Sequence, residues 1–139
     1  MTDLQKPPAP PSVHVAILDE QHKRLFDLIY RTQKLHSTGN DRAGILLLLK
    51  ELVDYSDYHF RTEDAYMLDN GYPLFLSHRK EHGQYLMQMK EMLSRLESSD
   101  PALPEALDKF ISEWWRRHVM ESDMNYARYF KNNPPYKQN

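Results

Sequence analysis

The chain contains no cysteine among its 139 residues. Disulfides, thiolate metal sites and cysteine nucleophiles are thereby excluded together, and any bound metal must take nitrogen or oxygen ligands. A reducing cytoplasm is compatible with this and is the expected location. An excess of one charge is also lacking: Lys and Arg total 18 against 20 Asp and Glu, a net charge of −2 at pH 7. With the signs interleaved there is no basic stripe for phosphates and no polybasic block for a membrane surface, so neither nucleic acid nor a membrane is an expected partner. The longest apolar run, residues 45–49, is far too short to span a bilayer. Residues 1–12 lack the basic cluster and apolar stretch of a signal peptide and, being rich in proline, read as a loose arm. Strand alternation and internal repeats are missing too. One domain over 1–139 is expected, with an arm at 1–18, a bundle at about 19–130 and a loose tail at 131–139.

What is present is helical periodicity. Proline and glycine divide the chain into four long segments whose apolar residues recur at spacings of three and four. The first is expected to start at an Asp19 N-cap and to carry His22, Leu25, Phe26, Ile29 and Thr32 on its inner line. The second, with Asp41 as its cap, carries Ile45, Leu49, Leu52, Ser56, His59 and Glu63 and stops at Gly71 and Pro73. The third carries Phe75, His78, His82, Tyr85, Met89, Met92 and Leu96. The fourth runs from Pro104 through Leu107, Phe110, Ile111, Trp114 and His118 to about Tyr129. Four such helices joined by short loops predict an all-α, up-down-up-down antiparallel four-helix bundle.

Polar, metal-capable residues interrupt these inner lines at one level. His59 and Glu63 form H-x-x-x-E, and His78 and His82 form H-x-x-x-H. A step of four turns a helix by about 400°, so each pair projects from one face, one turn apart. His22 comes early in helix one, His59 late in helix two, His78 early in helix three and His118 late in helix four, positions that share one height in an alternating bundle. A lone inward histidine is ordinarily a hydrogen-bonded core residue. Five imidazoles and two carboxylates at one level would each need a partner, and a metal dication supplies one for all of them. That number of ligands exceeds a tetrahedral zinc site. Two six-coordinate ions that share both carboxylates and a bridging oxygen accommodate it, with one position open for a small molecule.

The segment LDEQHKRLF around His22, followed by His59-x-x-x-Glu63, His78-x-x-x-His82 and His118-x-x-x-x-Asp123, resembles the hemerythrin family over residues 13–130. The resemblance implies two iron ions, joined by an oxo or hydroxo bridge, that bind dioxygen reversibly. It implies that His78, His82 and His118 serve one iron and His22 and His59 the other, with Glu63 and Asp123 bridging. Dioxygen would then bind at the two-histidine iron, for storage, transport or supply of oxygen. Phe26, Ile29, Phe60, Trp114 and Trp115 are candidates for an apolar wall of the dioxygen pocket, though each is equally explained as bundle core. Gln21, Tyr55, Tyr58 and Tyr126 are candidates to orient the imidazoles through their free N–H groups.

One spacing is discordant. A step of five from His118 to Asp123 separates the two by about 140° on an ideal α-helix, which predicts a local irregularity between them. Three functional classes remain open: a stand-alone dioxygen-binding protein, an oxygen- or redox-sensing domain of a larger signalling protein, and a diiron oxidase or peroxidase. The absence of any E-x-x-H, the pairing used by ferritin-like diiron proteins, argues against an enzyme.

Overall fold

The computed structural model describes residues 9–38, 42–98 and 103–135. They form four helical rods and, among the described residues, no strand. These are α1 (Ala16–Thr38), α2 (Arg42–Asp69), α3 (Phe75–Glu97) and a fourth rod in three parts. That rod consists of α4 (Leu103–Arg117), a π-helical segment (His118–Asp123) and α5 (Met124–Asn132). Consecutive rods pack side by side, and the fourth packs on α1 as well as on α3, closing the bundle. No helix among the described residues is long and apolar enough to cross a membrane.

The three-and-four spacing accounts for the buried stripes. In α2 the whole line from Ile45 to Glu63 is buried, and in α3 the line from His78 to Leu96 is buried. The α4 stripe is Leu103, Leu107, Ile111 and Trp115. Phe110 and Trp114, expected on that line, lie instead at its margin, half-buried.

Helix α1 begins three residues before the expected cap. Asp19 sits inside the first turn, where its carboxylate accepts hydrogen bonds from the Val13 N–H at 2.8 Å and the Ser12 hydroxyl at 2.6 Å. A carboxylate there also faces the positive end of the helix, which favours starting the helix ahead of it. Residues 16–18, assigned to the arm on sequence grounds, are thus part of the helix, and Val13 and Val15 just before it are buried. Gly71, at φ 69°, takes the left-handed conformation that ends α2. Residues 1–8 of the expected arm, the Asp41 cap and tail residues 136–139 lie outside the described residues.

Two apolar clusters make up the core. The larger one contains Leu25, Leu28, Leu49, Leu52, Phe60, Tyr85, Met89, Leu107 and Trp115, and the smaller one Val13, Val15, Leu18, Tyr66, Met67, Tyr72, Tyr126 and Phe130. Along every rod the chain passes from one cluster to the other through a short polar stretch, and these four stretches meet.

Candidate metal centre

All seven residues singled out by the sequence converge where the rods pass between the two clusters. His22, His59, Glu63, His78, His82, His118 and Asp123 are all buried. Their ligand atoms form two groups, one of Glu63, His78, His82 and His118 and the other of His22, His59, Glu63 and Asp123, each with its atoms within 4.8 Å of one another.

The carboxylates join the groups. Glu63 turns Oε1 toward His78 at 2.7 Å and His82 at 3.0 Å, and Oε2 toward His59 at 3.3 Å and His22 at 3.5 Å. Asp123 divides in the same way, with Oδ1 at 3.0 Å from His78 and 3.1 Å from His118, and Oδ2 at 3.1 Å from His22. One oxygen of each carboxylate thus faces three histidines or part of that set, and the other faces the remaining pair or one of its members.

The fourth rod resolves its five-residue step by a π-helical segment that spans His118–Asp123. Its wider turn, with hydrogen bonds from i to i+5, brings residues five apart toward one side. Both side chains consequently point inward, as the discordant spacing required.

Partners outside the cluster hold three imidazoles in place. His59 Nδ1–H donates to Gln21 Oε1 at 2.8 Å, while the Gln21 amide donates to Thr62 Oγ1 at 3.2 Å and the Thr62 hydroxyl to the Tyr58 carbonyl at 3.1 Å. That chain fixes the amide orientation and leaves His59 Nε2 with a free lone pair. His82 Nδ1–H donates to Asp64 at 2.9 Å, and His118 Nδ1–H to Glu81 at 3.1 Å. Ser122 in the π segment donates to both Glu81 oxygens, at 2.7 and 2.9 Å. Tyr126 Oη donates to Glu63 Oε2 at 3.0 Å. Of the four orienting candidates, Gln21 and Tyr126 reach the cluster. Tyr58 is 54% exposed and Tyr55 pairs with its ring. Asp64 and Glu81 were missed, and the available signal was an acid adjacent in sequence to a ligand.

The donor set fits metal ions. His22 Nδ1 and Nε2, His59 Nε2 and both Asp123 oxygens are buried without a hydrogen-bond partner. Leaving a buried ionised carboxylate so is costly unless a cation compensates it. Ligands about 2.1 Å from a first-row dication and at right angles to each other stand about 3 Å apart. His82 Nε2 and His118 Nε2 face each other at 3.1 Å, and the closest histidine–carboxylate pairs run from 2.7 to 3.1 Å.

The electrostatics show how strongly the acids and bases are coupled. Burial pushes the His22 and His78 imidazoles down, but Asp123 and Glu63 outweigh it and raise both to about 9. His118 is raised well above its ordinary value by Asp123, Glu63 and Glu81 despite the same burial. At His59 burial wins over Glu63, and the pKa is lowered. Burial pushes Glu63 and Asp123 up, yet the surrounding imidazoles hold both carboxyls below their usual range. Glu81 is lowered as well: partial burial raises it, and His118 and Ser122 more than offset this.

The five aromatic and aliphatic candidates divide. Phe60 lies flat on His82, with ring centroids 3.9 Å apart and planes at 11°, and Trp114 lies on His118 at 4.5 Å and 15°. Trp115 stacks on Phe60 at 5.6 Å and comes within 6.2 Å of the His59 ring. Phe26 and Ile29 sit one and two turns along α1 from His22. With Trp115, Pro10 and Pro11 they line a mostly apolar cavity of about 390 Å³.

Comparison with known proteins gives a consistent result. Residues 13–130 match the family described as "Hemerythrin HHE cation binding domain". A bacteriohemerythrin of Pseudomonas aeruginosa is 31% identical over 115 residues, covering 81% of this chain and 72% of the relative. One from Methylococcus capsulatus is 27% identical over 114 residues, covering 82% of this chain and 86% of the relative. A wild-type hemerythrin crystal structure superposes with a TM-score of 0.75 at 24% identity, covering 82% of this chain and 87% of that one. A second hemerythrin crystal structure, of a point mutant, gives 0.80 at 23% identity and covers 92% and 97%.

Proposed function

The chain belongs to the hemerythrin family, and on that footing we propose that it binds dioxygen reversibly at a pair of iron ions, for storage, transport or supply of oxygen. One observation carries the reading: two buried carboxylates each split their oxygens between histidine sets of unequal size, three on one side and two on the other. His78, His82 and His118 would hold one iron, His22 and His59 the other, and Glu63 and Asp123 both. The two-histidine side is one protein ligand short, so a small molecule can be accepted there.

A pair of ferrous ions held by His22, His59, Glu63, His78, His82, His118 and Asp123 would supply the reducing equivalents that reversible dioxygen binding requires. The protein's part is to position, to exclude and to hold protons where they belong. Gln21, Asp64 and Glu81 accept the Nδ1–H of His59, His82 and His118 and so present each Nε2 inward. Tyr126 holds Glu63 from the side of the two-histidine set. Phe60, Trp114 and Trp115 close the large-cluster side against water, which keeps the chamber dry and favours release of dioxygen over its further reduction. With a histidine-rich donor set and no E-x-x-H pair, the site is built to hold dioxygen, and the protein is read as a non-enzyme.

The test is anaerobic reconstitution with ferrous iron, a count of iron per chain, and repeated admission and removal of oxygen with visible spectra recorded. Two irons per chain and an absorption band that comes and goes support the proposal. One iron, or irreversible bleaching, overturns it.

A further inference from the structure

The partners of the imidazoles differ sharply between the two halves of the centre. On the three-histidine side, His82 leans on Asp64 at 2.9 Å and His118 on Glu81 at 3.1 Å, both carboxylates. On the two-histidine side, His59 has the neutral amide of Gln21 at 2.8 Å, and His22 Nδ1 is buried with no partner. A carboxylate that accepts the Nδ1–H pushes electron density to Nε2 and makes it a stronger donor to a cation; an amide does so less, and an unpartnered nitrogen not at all. Ser122 in the π segment clamps both oxygens of Glu81, so the bias at His118 is fixed in place.

We infer that Asp64 and Glu81 are positioning residues that make the three-histidine half the tighter of two unequal metal sites, so that the ions load in sequence and the two-histidine half fills last. This rests on the two-ion reading above and goes beyond it. The number of histidines alone would favour the same half; the anionic partners widen the difference by an amount that side-chain substitution can measure. An ion loosely held where the coordination shell is incomplete is also the one whose surroundings adjust most readily to an incoming ligand.

The experiment titrates the metal-free 139-residue chain with Co²⁺. Visible absorption counts the ions bound, and the solvent-exchangeable, paramagnetically shifted imidazole N–H proton signals identify which histidines are ligated. In wild type the first equivalent should shift ring signals of the three-histidine set and the second those of the pair. Asp64→Asn and Glu81→Gln should each weaken the first step by about 10- to 100-fold, with the second step unchanged. Gln21→Leu should weaken only the second. Asp64 and Glu81 are 22% and 38% exposed, so neither substitution opens a hole in the core. Should one variant fail to fold, the other decides, because each acts on a different imidazole. Equal weakening of both steps, or a single step for both ions in wild type, overturns the inference and leaves the two-ion reading standing. One Co²⁺ per chain at saturation, in contrast, overturns the two-ion reading and this inference with it.

Discussion

Tyr126 Oη donates to Glu63 Oε2 at 3.0 Å, joining α5 to a carboxylate that both histidine sets share. Both groups are fully buried, so the bond is made to a charge away from water. Tyr126→Phe keeps the ring and removes the donor. The metal-free protein should lose about 1.5–3 kcal/mol, the range for hydrogen bonds to charged groups. Guanidinium unfolding measures this, and an unchanged midpoint would refute it.

Glu63 appears in both ligand groups, whereas His59 appears in one. Glu63→Ala should therefore cost the protein both ions, and His59→Ala only the one on the two-histidine side. Metal content after exhaustive dialysis separates them: near zero for the first and near one per chain for the second. Equal retention by the two variants would contradict the shared role of Glu63.

The pKa shifts predict opposite slopes of stability on the two sides of neutrality. His22 and His78 are raised from 6.5 to about 9, so between those values the folded chain binds more protons than the unfolded one. Their contribution is complete below pH 6.5 and is lost as pH rises through about 9. Glu63 and Asp123 are depressed, so theirs is present above the ordinary carboxylate range and is lost as pH falls through the folded values. The metal-free protein should thus melt at lower temperature at pH 9 than at pH 6.5, and its melting temperature should also fall in acid, below the ordinary carboxylate range. Metal ions take the place of those protons, so in the loaded protein the decline from 6.5 to 9 should disappear. Calorimetric melts of both forms across pH provide the check.

Phe60 is 2% exposed and lies face to face with His82. Phe60→Ala should destabilise the fold by about 3–5 kcal/mol through the cavity it leaves. It should also shorten the lifetime of the oxygenated protein, since water gains a path to the centre. Stability that falls while the lifetime stays at the wild-type value would show Phe60 to be core alone.

The sequence made the paired ligands easy to find. His59 with Glu63 and His78 with His82 are one turn apart on buried stripes, and helical periodicity places such pairs without ambiguity. Asp123 was harder, because its step of five fits no α-helix, and the π segment that accommodates it leaves no mark in composition. Asp64 and Glu81 escaped notice because each sits beside a ligand on the flank of its helix, where acids ordinarily face solvent. Only the lateral reach of the neighbouring rod's imidazole turns them inward. The five apolar candidates were legible as wall or core, with nothing in the sequence to divide them. Phe60, Trp114 and Trp115 touch ligand rings, while Phe26 and Ile29 line a separate cavity beside Trp115, and periodicity alone does not distinguish these fates.

The division of the core has a mechanical meaning. With the histidine layer set between a large and a small apolar cluster, the bundle has no continuous greasy spine among its described residues. Cohesion across that stratum comes from charge, and cations lodged in it would act as rivets between two unequal blocks. Strip them and the short block, which carries the chain's first helical turn and the hairpin between α2 and α3, becomes the part of the molecule most ready to come loose.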